Sequence, residues 1–224
     1  KTAYEIPKRD WSSDVCSSDL AIVRHELLYT GRAGGERAIF AFCDLSGLDL
    51  SGRNLTDADF TGAYLEETNF AGAQLDSANF FGASLKRANA AGASFRRADM
   101  RGVSLRGANL IGADLFDADL REGKIEEKGD AGELKILQQD MGPAEMPGAL
   151  FAHANLARAK LSGAIAIQAD FTGAIMRDCV LTRANFRRAI LDGVNLENAD
   201  MRGCDLQGAS LRNAVLSRSE EHTS

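Results

Sequence analysis

The side chains of this chain that could act as nucleophiles or metal ligands are few and lie far apart. The cysteines and histidines are Cys16, Cys43, Cys179, Cys204, His25, His153 and His222. No two cysteines have the CxxC spacing of zinc and redox sites, and no histidine stands at ligand spacing from a cysteine. No Ser–His–Asp or Cys–His arrangement is indicated. We therefore expect no catalytic residue, no metal and no cofactor.

A cluster of glycines near the start of the chain does not indicate a nucleotide site. Gly31, Gly34 and Gly35 lack the GxxxxGK[ST] order of a phosphate-binding loop and follow no predicted strand. The carboxylates are more numerous, with 32 Asp and Glu against 26 Lys and Arg and a formal net charge of −6. Many of these carboxylates recur at fixed intervals, which indicates a repeat rather than a pair of catalytic acids.

The element that positions all these residues is a repeat of five. Apolar residues stand at every fifth position from Phe40 to Leu120, with Ala90 as the small exception, and again from Met146 to Leu216, where Ala166 is the small one. A small residue, usually alanine, precedes each by two places. Polar residues such as Asp59 lie between the small residue and the apolar residue of each unit. The blocks hold 17 and 15 units.

A period of five fits neither a helix face nor a simple strand. Side chains alternate faces along a strand, so the apolar residue and the small residue two places earlier both point inward. An odd repeat keeps this pattern only if the chain turns once in every unit. Glycines such as Gly62, Gly72 and Gly82 stand at the expected corner, where a positive φ is often required.

Segments such as 58–62 (ADFTG), 108–112 (ANLIG) and 184–188 (ANFRR) resemble the A(D/N)LXX unit of pentapeptide-repeat proteins. The resemblance covers roughly residues 38–217. It implies an all-β fold, a right-handed quadrilateral parallel β-helix, with two repeat blocks and one insertion. At one strand spacing per coil, about eight coils would form a rod of roughly 40 Å.

The repeat pattern divides the chain into segments. We expect a cap segment at 21–37, with a short helix from Ile22 to Tyr29, then β-helix block one at 38–123 and block two at 146–217. The insertion at 124–145 displaces the register by one residue, and it is predicted as a hairpin or a short helix with a turn at 128–132.

Both ends of the chain resemble translated sequencing-adapter sequence rather than protein. Residues 1–20 (KTAYEIPKRDWSSDVCSSDL) and 218–224 (RSEEHTS) show no repeat. We expect both ends to be artefacts, the first of them disordered, and the chain to be a fragment of a larger protein. No apolar run is long enough to span a membrane. The other three cysteines stand at the small inward position of the repeat. We expect them to be reduced thiols, which agrees with a cytoplasmic protein.

Two groups of surface residues are candidates for binding. A basic girdle comprises Lys86, Arg87, Arg96, Arg97, Arg101 and Arg106. Residues twenty apart should stack, so these side chains could simply pair with carboxylates on neighbouring coils, as Lys86 with Glu66 or Arg97 with Asp117. Alternatively, they could bind an anion or a partner.

The second group lies in block two. Arg187 and Arg188 have no acidic residue twenty places away, and apolar residues occupy the outward position at Leu150, Ile165, Ile175, Val180, Ile190 and Val215. Exposed apolar clusters usually mark contacts. They could also be covered by the insertion.

These features predict a non-catalytic scaffold, a protein-interaction module of a larger bacterial protein, with a homodimer through an end coil as one option. The resemblance implies an alternative, since some pentapeptide-repeat proteins mimic DNA and bind topoisomerases such as gyrase, which gives quinolone protection. Mimicry needs a strongly anionic rod. Residues 151–217 instead hold eight basic and six acidic residues, a net charge of +2. Direct nucleic-acid binding is disfavoured by the same balanced charge and by the few exposed aromatic residues.

Overall fold

The computed structural model describes residues 15–128 and 134–219. Its elements are helix α1 at Val15–Tyr29, strand β1 at Gly123–Lys128 and strand β2 at Leu134–Met141. Side chains are described for all of these residues except 15–19, 124–128 and 134–141. The rest of the chain forms a coil of short parallel bridges, which is the repeat solenoid that the period of five predicts.

The solenoid has four columns of parallel bridges. Within each column a residue pairs with the residue twenty places on, or forty-one places on across the insertion. We number the faces by the bridges with which their columns begin: Ile39↔Asp59 (first), Asp44↔Tyr64 (second), Asp49↔Asn69 (third) and Asn54↔Gln74 (fourth). Each coil therefore contacts only its neighbours along the rod.

The core follows the predicted inward positions. Ala58 and Phe60 are both 0% exposed, and the same alternation continues through the rod to Met201. Phenylalanines stack along the axis, with ring centroids 4.8 Å apart for Phe60 and Phe80 and 4.9 Å apart for Phe151 and Phe171. Burying each such side chain contributes roughly 1.5–3 kcal/mol.

Every coil corner uses a left-handed residue. The turn after Phe60 closes with a hydrogen bond from the Ala63 amide to the Phe60 carbonyl of 3.0 Å, and Gly62 has φ 62°. Glycine was expected at this position, yet 16 described non-glycine residues also have a positive φ there, among them Arg97 at 58°. The coil geometry imposes this conformation whether or not the residue is glycine.

Where the outward residue is Asp or Asn, the unit can satisfy all five of its backbone amides, as residues 58–62 illustrate. Four amides donate to carbonyls of the same turn or of adjacent coils, for example Phe60 to Asn79 at 2.7 Å. The fifth, at Thr61, donates to the side chain of Asp59 at 3.0 Å. An Asp or Asn at the outward position therefore has a structural role, because it accepts the one amide that the coil leaves over.

The insertion forms an antiparallel hairpin, β1 paired with β2, with a bulge between Gly123 and Ile125. The predicted turn at 128–132 lies largely outside the described residues. The predicted boundaries need correction at both ends. Gly123 begins β1, whereas Glu145 already bridges Ser104 and Ile165 in the coil. Ala144 is 0% exposed, because it fills the small inward position two places before Met146.

Helix α1 is longer than expected and begins inside the segment predicted to be disordered. It starts at Val15 rather than Ile22 and ends at Tyr29, before Gly31 with φ 66°. Once a helix is nucleated, each added residue gains one hydrogen bond, and no proline or glycine interrupts 15–22. Ile22 is 4% exposed within the same buried cluster as Phe40, so α1 packs on the first coil. Residues 1–14 and 220–224 lie outside the described part of the chain.

Within the residues that the structure describes, no helical segment combines the length and hydropathy that a bilayer crossing requires.

Candidate protein-interaction surface

The outward apolar residues of block two are exposed, apart from the half-buried Ile165, but they do not form one patch. Ile165 lies on the second face, Ile175 on the fourth, Val180 on the first and Ile190 on the third. Their column neighbours are polar or charged on both sides, as with Asp170 and Ser210 around Ile190. Sequence position alone suggested a cluster, but the four faces separate its members.

The fourth face presents two apolar side chains in line, Ile175 and Val215. The third face does so with Leu150 and Ile190, and it is the face that Arg187 and Arg188 border. Its column runs Asp49, Asn69, Asn89, Asn109, Leu150, Asp170, Ile190 and Ser210. Leu150 is 39% exposed and Ile190 41%, two coils apart, which places them about 10 Å from each other along the rod. Ile111, 41% exposed, stands at the turn that ends this face. The small residues Ala91 and Ala152 flank the column, so the apolar side chains protrude beyond their neighbours.

Backbone donors accompany these apolar residues. A Leu or Ile at the outward position cannot accept the amide two places on, as Asp59 accepts that of Thr61. In the part of the chain that the structure describes, the amides of Ala152 and Asp192 have no protein acceptor. The third face therefore combines apolar side chains with hydrogen-bond donors that a partner could satisfy.

The first half of the third face is stabilised by a ladder of amide side chains. Asn69 donates to Asp49 at 2.9 Å, Asn89 to Asn69 at 3.0 Å, and Asn109 to Asn89 at 3.1 Å. Each outward oxygen also accepts the amide two places on, as Asn89 accepts that of Ala91 at 3.4 Å. Before the insertion, the polar groups of this face therefore form their hydrogen bonds within the protein. The amides two places after Leu150 and Ile190 do not, among the residues that the structure describes.

Arg187 and Arg188 form the corner between the second and third faces. No acidic residue stands twenty places from Arg187, as expected, but its guanidinium lies 3.7 Å from Asp205. The partner is eighteen places on rather than twenty, a diagonal contact within reach of a long side chain. For Arg188, the described residues place no carboxylate within ion-pair distance, and its stem lies over Gly208.

The predicted basic girdle is distributed over three corners of the rod. Five of its six members are in ion pairs: Lys86–Glu66 at 3.1 Å, Arg87–Glu67 at 2.7 Å, Arg96–Asp114 at 2.7 Å, Arg101–Asp99 at 2.6 Å and Arg106–Glu145 at 3.1 Å. Among the described residues, Arg97 forms no such pair with Asp117. Lys86 and Arg87 pair with the carboxylates twenty places away, as strand pairing predicts, whereas Arg96, Arg101 and Arg106 pair with carboxylates at other spacings.

Two of these arginines show details that sequence spacing missed. The Arg96 guanidinium lies 4.6 Å from the Phe116 ring centroid, and that of Arg101 lies 5.3 Å from the Phe81 centroid. The pairing also has an electrostatic consequence at Glu66, where the hydrogen bond from Lys86 lowers the pKa of the carboxyl. A search for opposite charges at spacings of eighteen and two, besides twenty, would have found most of these pairs.

The cysteines lie at the inward small position, as predicted. In the described part of the chain, Cys43, Cys179 and Cys204 are all thiols, and the first two are buried. The Cys179 thiol lies 2.8 Å from the Leu156 carbonyl, and burial raises its pKa to about 12. Thr68 uses its hydroxyl in the same way at the same position, 2.9 Å from the Leu45 carbonyl. These side chains therefore belong to the core. No group of His, Cys, Asp and Glu suited to a metal ion occurs among the described residues.

Comparison with known proteins agrees with this architecture. A trypsin-treated variant of QnrB1, titled a plasmid-mediated fluoroquinolone resistance protein, has a solved structure with a TM-score of 0.58, at 15% identity over 80% of this chain and 85% of that chain. That likeness shows the fold alone. HetL of the cyanobacterium Nostoc, titled a pentapeptide repeat protein involved in heterocyst differentiation regulation, is 22% identical over 87% of this chain and 93% of that one, with a TM-score of 0.26. No curated protein matches the chain.

The family assignment follows from the repeat itself. The family model for pentapeptide repeats matches 8 copies, over residues 43–82, 83–121, 148–178 and 179–218. These segments omit the insertion and cover well over half of the chain. The chain therefore belongs to the pentapeptide repeat family.

Proposed function

We propose that this rod is a non-catalytic protein-interaction scaffold, a module of a larger bacterial cytoplasmic protein, folded as a right-handed quadrilateral β-helix. The observation that carries the proposal is the third face in block two. There, Leu150 and Ile190 are exposed beside the amides of Ala152 and Asp192, which have no protein acceptor among the described residues. Apolar side chains beside open polar groups are typical of surfaces that bind protein.

The surroundings of the third face support a protein partner. Arg187 and Arg188 border the face, and Arg187 is held only at 3.7 Å from Asp205. Arginine is enriched in protein interfaces, where it pairs with carboxylates of the partner. The partner that fits is a segment with apolar side chains, backbone or side-chain acceptors, and acidic residues towards the arginine corner.

A matched pair of substitutions tests this assignment. Ile190→Asp on the third face and Val180→Asp on the first both replace an exposed apolar residue, 41% and 38% exposed, by the aspartate that the repeat usually has there. Both variants should fold, since the new carboxylate can accept the amide two places on. A photo-crosslinking residue at Leu150 then reports binding in an extract of a bacterial host.

We expect a crosslinked adduct that disappears in Ile190→Asp and persists in Val180→Asp. Equal loss in the two variants, or an adduct that neither variant changes, would contradict the third face as the binding surface. A homodimer through an end coil is a separate part of the proposal. Sedimentation of the parent tests it, and a parent that is monomeric at micromolar concentration would exclude it.

The alternative is a DNA mimic that binds gyrase. It is favoured by the fold shared with QnrB1 and disfavoured by the net charge of +2 over residues 151–217. A gyrase supercoiling assay separates the two functions. Inhibition by the rod at low micromolar concentration would favour the mimic over the scaffold.

A further inference from the structure

One buried titratable group lies outside everything described so far. His25, on α1, is 0% exposed, and its Nδ1 accepts the Ala38 amide at 3.0 Å. Ala38 is the first inward small residue of the coil. This is the buried polar contact between the cap helix and the rod, and it is independent of the third face.

The hydrogen bond fixes the protonation state of the ring. Because Nδ1 accepts, the neutral imidazole must carry its proton on Nε2. That Nε2 is buried and makes no hydrogen bond of good geometry, although the backbone of Thr56 lies close enough to favour the protonated ring. The nearby Thr56 carbonyl is already engaged by the Tyr29 hydroxyl at 2.7 Å. A second proton would lie on Nδ1, directed at the Ala38 amide, so two donors would face each other at a buried site.

The charged groups around the ring only partly compensate a positive charge. Burial has the largest effect and lowers the pKa of His25, while the Thr56 backbone and the Asp57 and Glu26 carboxylates act in the opposite direction and Arg37 acts with burial. Asp57 is shared, since its Oδ2 lies 2.6 Å from the Tyr29 hydroxyl. Glu26 is likewise engaged by Arg53 on the first coil, at 3.4 Å. Neither carboxylate contacts the imidazole directly.

We propose that His25 is a proton-sensitive latch: its protonation releases α1 and uncovers the end of the first coil. Ile22 packs in the core beside this contact, but the other polar contacts between α1 and the rod are exposed, such as Arg53–Glu26, and exposed pairs hold weakly. Release would expose the inward residues Ala38 and Phe40 together with the unpaired strand edges of the first coil. Such edges readily accept a further strand.

The sign and size of the effect follow from proton linkage. A histidine with a lowered pKa in the docked state stabilises docking above its ordinary pKa of about 6.5 and loses that contribution as the pH falls. The ratio of released to docked helix should rise up to about tenfold per pH unit below that value, until the pKa of the docked state is reached. The window from about pH 7 to pH 5 brackets the ordinary pKa of histidine, and the His153 variant below separates His25 from the exposed histidine.

Hydrogen exchange of the Ala38 amide measures the latch directly. After division by the intrinsic exchange rate, protection should fall with pH below about 6.5 in the parent chain. His25→Gln keeps an acceptor but cannot titrate, so its protection should not depend on pH. His153→Gln, an exposed histidine on a corner of the rod, is the matched control and should behave as the parent does.

The proposal is overturned if Ala38 protection in the parent is flat across the window, or if His25→Gln retains the parental slope. Should His25→Gln lose the docked helix at every pH, NMR titration of the parent imidazole decides instead. A neutral Nε2–H ring that titrates below about 6.5, in step with Ala38 exchange, supports the latch. Titration at or above that value refutes it.

Discussion

Replacing glycine at one coil corner should destabilise the rod for a purely conformational reason. Gly92 has φ +64°, and a Cβ placed there would meet no heavy atom within 4 Å beyond its chain neighbours. Gly92→Ala therefore adds no clash and removes no contact. A left-handed L-residue costs about 1–2 kcal/mol, and the stiffer unfolded chain returns about 0.4–1 kcal/mol. The free energy of unfolding should fall by about 1 kcal/mol.

Two further substitutions isolate the cause. Gly142 also has open space around its Cβ position but no positive φ, so Gly142→Ala should leave stability unchanged or raise it by up to about 1 kcal/mol. Arg97 adopts the corner conformation with φ 58°. Arg97→Gly relieves that strain and should stabilise the rod by up to about 1 kcal/mol.

Guanidinium titration followed by circular dichroism measures all three variants. Midpoints are comparable where the slope of the transition is unchanged, a condition to verify because solenoids can unfold in parts. The expected order of midpoints places Gly92→Ala below the parent and the other two at or above it. If Gly92→Ala matched Gly142→Ala, or if Arg97→Gly were as destabilising as Gly92→Ala, left-handed strain would not be what separates glycine from other residues at the corners.

Two further outcomes are expected. Asn89→Asp keeps the acceptor for Ala91 but cannot donate to Asn69, so it should lower the free energy of unfolding by about 1–3 kcal/mol in the same titration; an unchanged midpoint would show that the amide ladder adds nothing. In thiol labelling at about pH 8, native Cys179 should stay unmodified until the rod unfolds, because at a pKa of about 12 only about one molecule in ten thousand is ionised. Cys204, which is less buried and lies in the last coil, should react before Cys179, and equal labelling rates would contradict this.

The five-residue spacing predicted most of the fold because its constraints are local. Which residues are buried depends only on strand alternation and one turn per unit, so Ala58, Phe60 and Cys179 could be assigned to the core without any knowledge of distant contacts. The same rule, applied to Ala144, would have placed the end of the insertion correctly. The error there came from following only the apolar residue of each unit.

The surface was less predictable, since side chains reach beyond their own column. Arg187–Asp205 and Arg96–Asp114 are separated by eighteen residues, which reflects the length of the arginine side chain rather than the strand register. The role of His25 was also hidden, because its burial depends on how α1 docks. No periodicity relates a capping helix to the coil that it covers.

The acceptor of the fifth backbone amide in each unit shows which departures from the repeat pattern are explained by the fold and which are not. Where Ser94 replaces Asp or Asn, its hydroxyl bonds to Asp76 on the coil below, and that carboxylate also accepts the Arg96 amide at 3.2 Å. The coil thus has a second way to satisfy the leftover donor. At Leu150 and Ile190 neither solution is present within the described residues. An apolar residue there forgoes a hydrogen bond that Asp or Asn would make, and the same holds for Ile175 and Val180 on other faces. The outward apolar positions of block two are therefore where selection for something other than the fold is best sought, and the third face adds the arginine corner to them.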